Sequence, residues 1–371
     1  MNYLTAEGLS KAYGTKVLFE DLSFGINQGQ KIGFIAKNGT GKTSLLNLIT
    51  GSDSPDNGQL SQRKGLKIGL LTQDPQLPGN IFPEDFLFTA ENEKIAAIRA
   101  YEACLKNPEQ TEALQESLER MDRLNAWEAE TEIQQILSQL NLLDLNRKIE
   151  LLSGGQKKRL ALAKLLIEKP DLLIMDEPTN HLDLDMIEWL ENHLNQSSFT
   201  LFMVTHDRYF LDAVCNEVWE LENAQLYQYK GNYAYYLEKK EARIESEKSS
   251  VAKAKNLMRK ELEWMRRQPK ARGTKSKARV DSFYDLKKEA KKKIEDKAVE
   301  LEIKMNRLGS KIVELHKIKK SFGDLTISDG FSYTFKRGER LGIVGKNGVG
   351  KSTFLNMIMG KDEADSGKIV I

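Results

Sequence analysis

The residues best placed to do chemistry are Lys37-Asn38-Gly39-Thr40-Gly41-Lys42-Thr43, which follow an apolar run at 31–36 and lead into Ser44-Leu45-Leu46-Asn47-Leu48-Ile49. A strand, a glycine loop and a helix are expected in that order. Glycines at 39 and 41 let backbone N–H groups turn inward around phosphate oxygens, and the helix N-terminus adds its partial positive charge. In that frame Lys42 reaches the β- and γ-phosphates of ATP, Thr43 ligates Mg²⁺, and Asn38 and Ser44 are further nucleotide contacts. Ala36 stands where the phosphate-loop pattern has glycine, which makes the first turn less permissive while leaving the cradle. The bland alternative is a glycine-rich turn before a helix.

Further along, Asp171-Leu172-Leu173-Ile174-Met175-Asp176-Glu177-Pro178 has the composition of a buried strand ending in two carboxylates. At the C-terminal end of a parallel strand, one carboxylate can hold the Mg²⁺ shell while the other accepts a proton from water. A second apolar strand, 199–205, would deliver His206 to the same edge of the sheet, where it could touch a γ-phosphate; a lone histidine is otherwise structural. Leu151-Leu152-Ser153-Gly154-Gly155-Gln156 opens a helix running to about residue 168, and its small first residues leave N–H groups free to meet an anion. Gln73 follows a strand at 66–71, and a polar, helix-favouring stretch spans 84–143.

These elements must be organised around a repeat. Gly14, Gly29, Gly33, Gly39, Gly41, Lys42, Gly51 and Gly58 recur as Gly323, Gly338, Gly342, Gly348, Gly350, Lys351, Gly360 and Gly367 at a constant offset of 309. Chance does not produce that. The second loop, Gly345-Lys346-Asn347-Gly348-Val349-Gly350-Lys351-Ser352, fits the phosphate-loop pattern without the alanine departure. Its nucleotide contacts are expected at Asn347, Gly348, Gly350, Lys351, Ser352 and Thr353, with Ser352 also on the metal. Tyr13 and Phe322 correspond as well, at a position suited to stacking on a base; packing against the sheet is the other reading.

Between the copies lies a charged stretch, 232–306. From Lys253 to Lys293 it holds sixteen Lys/Arg against five Asp/Glu, although the whole chain carries only +2. Such a concentration attracts a polyanion. Leu237, Ile244, Val251, Met258 and Met265 fall at seven-residue intervals, and Val280, Phe283, Ala290, Ile294, Leu301 and Met305 form a second apolar series, with Pro269 and Gly273 between them. Two helices in an antiparallel coiled-coil hairpin are expected, the first reaching about 50 Å at 1.5 Å per residue. Arg266, Arg267, Lys270, Arg272, Lys275, Lys277 and Arg279 would then make a cationic tip, the candidate nucleic-acid contact. A solvated spacer that binds nothing is the alternative. No apolar run is long enough to span a membrane and no leader precedes the first strand, so a cytoplasmic protein is expected. Cys104 and Cys215 read as ordinary thiols, and the histidines are too scattered for a zinc site.

Taken together, the loop at 36–43, Gln73, Leu-Ser-Gly-Gly-Gln at 152–156, Asp176-Glu177, Asp183 and His206 resemble an ATP-binding cassette ATPase. Glu177-Pro178-Thr179-Asn180-His181-Leu182-Asp183, Thr205 to Leu211, Tyr229 to Leu237 and the basic linker narrow the resemblance to the ABC-F family, with the Uup-like subgroup favoured by the modest insert after Gln73. It implies an α/β fold: a P-loop NTPase cassette at 1–231, a basic helical-hairpin linker at 232–306, and an incomplete second cassette at 310–371, the natural protein being longer. The resemblance assigns Asp176 to Mg²⁺, Glu177 to polarising water, Gln73 to joining metal and water, and His206 to sensing the γ-phosphate. Cassettes of this kind pair head to tail, so Ser153, Gly154, Gly155 and Gln156 would face the nucleotide of Lys351. The implied activity is slow ATP hydrolysis by this portion, coupled to the ribosome and transfer RNA; branched DNA is the alternative target, and a transporter energy subunit is less expected.

Overall fold

The computed structural model describes residues 1–88, 93–106, 111–142, 146–266, 283–284, 287, 311–323 and 325–370. It forms two compact units, one of Met1–Lys230 with Arg307–Ile371 and the other of Gly231–Asn306.

In the first unit, β1 (Asn2–Tyr13) and β2 (Lys16–Asn27) form an antiparallel hairpin, and β4 (Asn57–Gln62) pairs with the far side of β1. The main sheet is built on β3 (Lys31–Ala36), which lies between β7 (Thr200–Val204) and β8 (Glu217–Glu222). Its order is completed by β5 (Ile68–Leu71) and β6 (Leu172–Asp176) on one side and β9 (Gln225–Lys230) on the other. All pairings are parallel except β8 with β9. A strand with neighbours on both edges and cover on both faces should be apolar throughout. Accordingly Ile32 and Phe34 are fully buried, as is Phe202 on β7. Phe34 and Phe202 pack at 5.4 Å, Phe202 meets Trp219 at 5.8 Å, and Trp219 meets Phe24 at 5.3 Å, which joins the main sheet to the hairpin sheet.

Helices α1 (Lys42–Thr50), α6 (Gly154–Glu168), α7 (Leu184–Gln196) and α8 (Arg208–Val214) connect the parallel strands. The expected helical insert contains α2 (Pro83–Leu87), α3 (Glu93–Lys106), α4 (Thr111–Arg123) and α5 (Ala126–Gln139). No helix among the described residues is long and apolar enough to cross a membrane.

The repeat is structural as well as sequential. β10 (Lys311–Phe322), β11 (Leu325–Lys336) and β12 (Ser366–Val370) form a sheet of order β11-β10-β12, the counterpart of β2-β1-β4. Asp56 accepts from the Ala12 N–H at 2.8 Å, and Asp365 accepts from the Ser321 N–H at 2.8 Å, 309 residues later. α10 (Lys351–Ile358) repeats α1. One expected strand is missing: 341–345, the counterpart of β3, forms no strand, and Leu341, Ile343 and Val344 are 53, 44 and 85% exposed. Among the described residues no strand pairs with this run as β7 and β8 pair with β3, and apolar composition alone does not make a ladder.

In the second unit, α9 (Tyr233–Arg266) is a single 34-residue helix. Val251 and Ala254 are buried, Ile244 and Met258 half-buried, and Leu237 exposed, so the seven-residue seam is covered unevenly. Phe283 is buried and packs edge-on to Tyr284 at 5.8 Å. The expected turn at Pro269–Gly273 and nearly all of the second apolar series lie outside the described residues.

Two glycines separate backbone strain from crowding. Gly51 has φ +74° and open space where a Cβ would point, whereas Gly58 has φ +85° and a Cβ there would fall 2.3 Å from the Gly8 carbonyl oxygen. Gly51→Ala should cost about 1 kcal/mol from the left-handed backbone alone. Gly58→Ala should cost about 3 kcal/mol or more, because the main chain of β1 must move. Urea unfolding of the two variants checks the order.

Candidate nucleotide site

β3 ends at buried Ala36, and the chain turns through Gly39 at φ +73° and Gly41 at φ +107° before α1 begins at Lys42. A Cβ on Gly41 would lie 3.0 Å from Leu18 Cβ and 3.3 Å from Phe19 Cδ1, so the loop is pressed against β2 and only glycine fits. Lys16 Nζ donates to the Gly39 carbonyl at 2.7 Å and braces the cradle from outside. Lys42 folds over the loop: its Nζ donates to Asn38 Oδ1 at 3.2 Å and lies 3.2 Å from His206 Nε2.

The carboxylates arrive on β6, whose register sets Asp176 beside Val204 at the end of β7. Glu177 leaves the strand at φ +51°. Its N–H donates to the Val204 carbonyl at 2.7 Å, and its own carbonyl accepts from Lys158 Nζ at 2.6 Å and from the Asn180 N–H at 3.3 Å. This turned backbone buries the side chain. Oε2 accepts from the His206 N–H at 3.3 Å, while Oε1 has no hydrogen-bond partner and His206 Nε2 stands 3.7 Å from it. Burial pushes the Asp176 carboxyl up, opposed by Lys42, Lys158 and His206. Burial likewise pushes the Lys158 ammonium down, opposed by Asp176, Glu177 and Asp74.

These groups line one cleft of about 760 Å³, with Tyr13, Lys16, Leu18, Asn38, Gly39, Gly41, Lys42, Thr43, Ser44, Gln73, Asp176, Glu177, Asn180 and His206 on its walls. A smaller recess of about 240 Å³ is shared by Thr43, Gln73, Asp74 and Asp176. The Tyr13 ring is 58% exposed, so it is not packed into the sheet, and Phe322 is 56% exposed. An N–H cradle, two lysines and a buried carboxylate oxygen facing the cleft without a donor suit a polyphosphate carrying Mg²⁺ and an ordered water. Among the described residues there is no group of three or more His, Cys, Asp or Glu that could hold a metal ion by itself.

Ser153, Gly154, Gly155 and Gln156 do not line this cleft. Ser153 caps α6 in a reciprocal box: the Gln156 N–H donates to Ser153 Oγ at 3.3 Å and Gln156 Oε1 accepts from the Ser153 N–H at 2.9 Å. A Cβ on Gly155 would lie 3.4 Å from His181 Cβ. The second loop approaches that same segment: Asn347 Nδ2 donates to the His181 carbonyl at 2.9 Å, and Lys346 pairs with Asp185 at 3.3 Å. There Gly348 and Gly350 have φ +86° and +94°, and Lys351 Nζ donates back to the Gly345 and Lys346 carbonyls at 2.5 and 2.7 Å. Ser352 and Thr353 occupy the first turn of α10. Arg266 is the last residue of α9, while Arg267, Lys270, Arg272, Lys275, Lys277 and Arg279 lie outside the described residues. Sequence reasoning missed Lys16 and Lys158. Lys158 sits in Lys157-Lys158-Arg159, where composition suggests a solvated basic face.

The sequence matches a family model described as ABC transporter over residues 19–180 and 328–371, and a second model of that description over 219–302. An ABC transporter ATP-binding protein of Bacillus subtilis, YfmR, is 41% identical over all of this chain and 60% of its own length. The energy-dependent translational throttle proteins EttA of Mycobacterium tuberculosis and Haemophilus influenzae are 36 and 38% identical, over 99 and 95% of this chain and 67 and 65% of theirs. The chain thus spans 60 to 67% of the length of these relatives.

Because Asp176 is held above the usual carboxylate range, the folded state binds a proton more readily than the unfolded state does. Its contribution therefore falls as pH rises from the unfolded value towards the folded one, and at neutral pH the ionised carboxylate destabilises the free protein. Asp176→Asn should raise the melting temperature by a few degrees at pH 7 without nucleotide, and should abolish any extra stabilisation that Mg²⁺ adds to ATP. Thermal denaturation with ATP, with and without Mg²⁺, checks both signs.

Proposed function

Since this chain belongs to the ATP-binding cassette family, on its ABC-F branch, we propose that it binds MgATP in the cleft of residues 36–43, hydrolyses it, and couples that cycle to the ribosome through its linker. The observation that carries the enzymatic part is the meeting of Lys42, Asp176, Glu177 and His206 at the ends of three adjacent parallel strands. The N–H groups around Gly39 and Gly41 hold the phosphates, and Lys42 turns from Asn38 and His206 to neutralise their charge. Bound with the nucleotide, Mg²⁺ would supply Lewis-acid activation, with Thr43, Gln73 and Asp176 as its proposed holders. Glu177 Oε1, buried and without a donor, is the atom that takes the proton of the attacking water. His206 closes the far side, its ring between Lys42 and Glu177. The products are ADP and phosphate.

The second loop completes the arrangement from the other direction. Its contact with His181 and Asp185 supports a head-to-tail pairing in which Ser153, Gly155 and Gln156 serve the nucleotide of Lys351. The translational part of the reading rests on the relatives named for throttling translation and on the basic stretch between the two loops. The seven cations from Arg266 to Arg279 are its proposed RNA contact, with transfer RNA or ribosomal RNA as the polyanion, in a cytoplasmic protein.

Three measurements test this. Glu177→Gln should leave ATP affinity within about threefold of wild type while lowering turnover by two or more orders of magnitude, the size expected of a general base. Replacing the seven tip cations by Gln should abolish co-sedimentation with ribosomes and leave ATP binding intact. In the wild type, log affinity should fall with log salt with a slope of about −5 to −6 if all seven cations contact phosphates. Unchanged association would make the linker a spacer, and preferential binding to branched DNA under the same salt would redirect the assignment.

A further inference from the structure

Lys158 is 2% exposed, in the second turn of α6, on the face that also buries Leu162 and Leu165. An apolar side chain would suit that position, because an ammonium taken out of water must be compensated by charge and hydrogen bonds. The compensation is specific. Lys158 Nζ donates at 2.6 Å to the carbonyl of Glu177, a residue held at the uncommon φ of +51°. The opposite side of that residue is fixed by the Glu177 N–H donating to Val204 at 2.7 Å. Fixed at both ends, the backbone leaves the side chain one way to go, into the cleft, where Oε2 meets the His206 N–H and Oε1 stays unpaired.

We propose that Lys158 is a positioning residue that holds Glu177 in its left-handed conformation and thereby ties the water-polarising carboxylate to the helix whose first turn carries Ser153 to Gln156. The role of Glu177 rests on the function proposed above; the tie itself rests on geometry. It makes the N-terminal half of α6 a short coupling element, whose start presents the residues assigned to the opposing nucleotide while the next turn grips the backbone of the glutamate in its own cassette. Movement of α6 on engagement would displace the Glu177 carbonyl and re-aim Oε1. Of the three consecutive cations 157–159, only the middle one is fully buried, so only it can act this way.

The test uses the whole 371-residue chain as wild type, Lys158→Met and Lys158→Arg, read by amide hydrogen exchange, ATP affinity and steady-state hydrolysis. Loss of a charge-assisted hydrogen bond in Lys158→Met should speed exchange at the Glu177 and His206 amides by about tenfold or more, while residues 160–168 of α6 exchange as before. ATP affinity and KM should stay within about threefold and kcat fall by about tenfold or more, with Lys158→Arg restoring both exchange and kcat. Unchanged exchange at the two amides, or acceleration spread along all of α6, would overturn the proposal in favour of a merely structural lysine. Should Lys158→Met fail to fold, wild-type protein labelled at lysine Nζ and the Glu177 carbonyl decides: a slowly exchanging ammonium coupled through the hydrogen bond is expected, and its absence sinks the idea. Hydrolysis insensitive to Glu177→Gln would instead remove the proposed role of Glu177 and leave the exchange result standing on its own.

Discussion

Everything in the first cassette depends on β3 lying between two parallel neighbours. Its ladder to β7 and β8 buries Ile32 and Phe34, fixes where Ala36 ends, and so fixes where the phosphate loop begins. The same ladder aligns β7, and through β7 it aligns β6, so that Asp176, Glu177 and His206 reach the loop from adjacent strand ends. The second copy shows the dependence by contrast. It has the loop, the helix and the three-stranded sheet, yet 341–345 remains unpaired and exposed without neighbours of that kind. A glycine loop can form locally; the edge that gathers Asp176, Glu177 and His206 is a property of the whole parallel sheet.

Much of this is legible in the sequence because the chemistry demands unusual residues at fixed spacing. Gly39, Gly41 and Lys42 are readable because few other residues tolerate those backbone angles or deliver that charge. Asp176 and Glu177 are readable because two carboxylates after an apolar run are costly unless used. The β1–β2 hairpin sheet is less visible, since half of each strand faces solvent and alternation is broken by register shifts near Leu9 and Lys11. Lys158 is not legible at all. Three successive cations on a helix point about 100° apart, and without knowing the phase of α6 against the sheet no rule says which of them is buried.

A different constraint applies to residues 153–156. Ser153-Gly154-Gly155-Gln156 is expected to meet a nucleotide, but within the first cassette it is occupied in capping α6. Both uses draw on one physical fact, the unpaired N–H groups of a helix start. The neighbour that shares its surroundings is the second loop, through His181. The approach of the second loop to His181 comes from residues far apart in the chain, which a linear reading does not bring together.

The close approach of Gly58 to Gly8, repeated where a Cβ on Gly367 would lie 2.4 Å from the Lys317 carbonyl oxygen, bears on how two halves of one polypeptide drift apart. Side chains in a duplicated fold can be exchanged in compensating sets, so their likeness erodes. A main chain touching a main chain has no second residue type to trade with, and the constraint outlasts the surrounding resemblance. At position 317, the counterpart of Gly8, a lysine stands at φ +47°, while Gly367 matches Gly58. The other repeated glycines meet side chains or, as at Gly51 and Gly360, open space at a left-handed φ, so what the copies share is backbone conformation, with a main-chain collision added at the 58/367 pair.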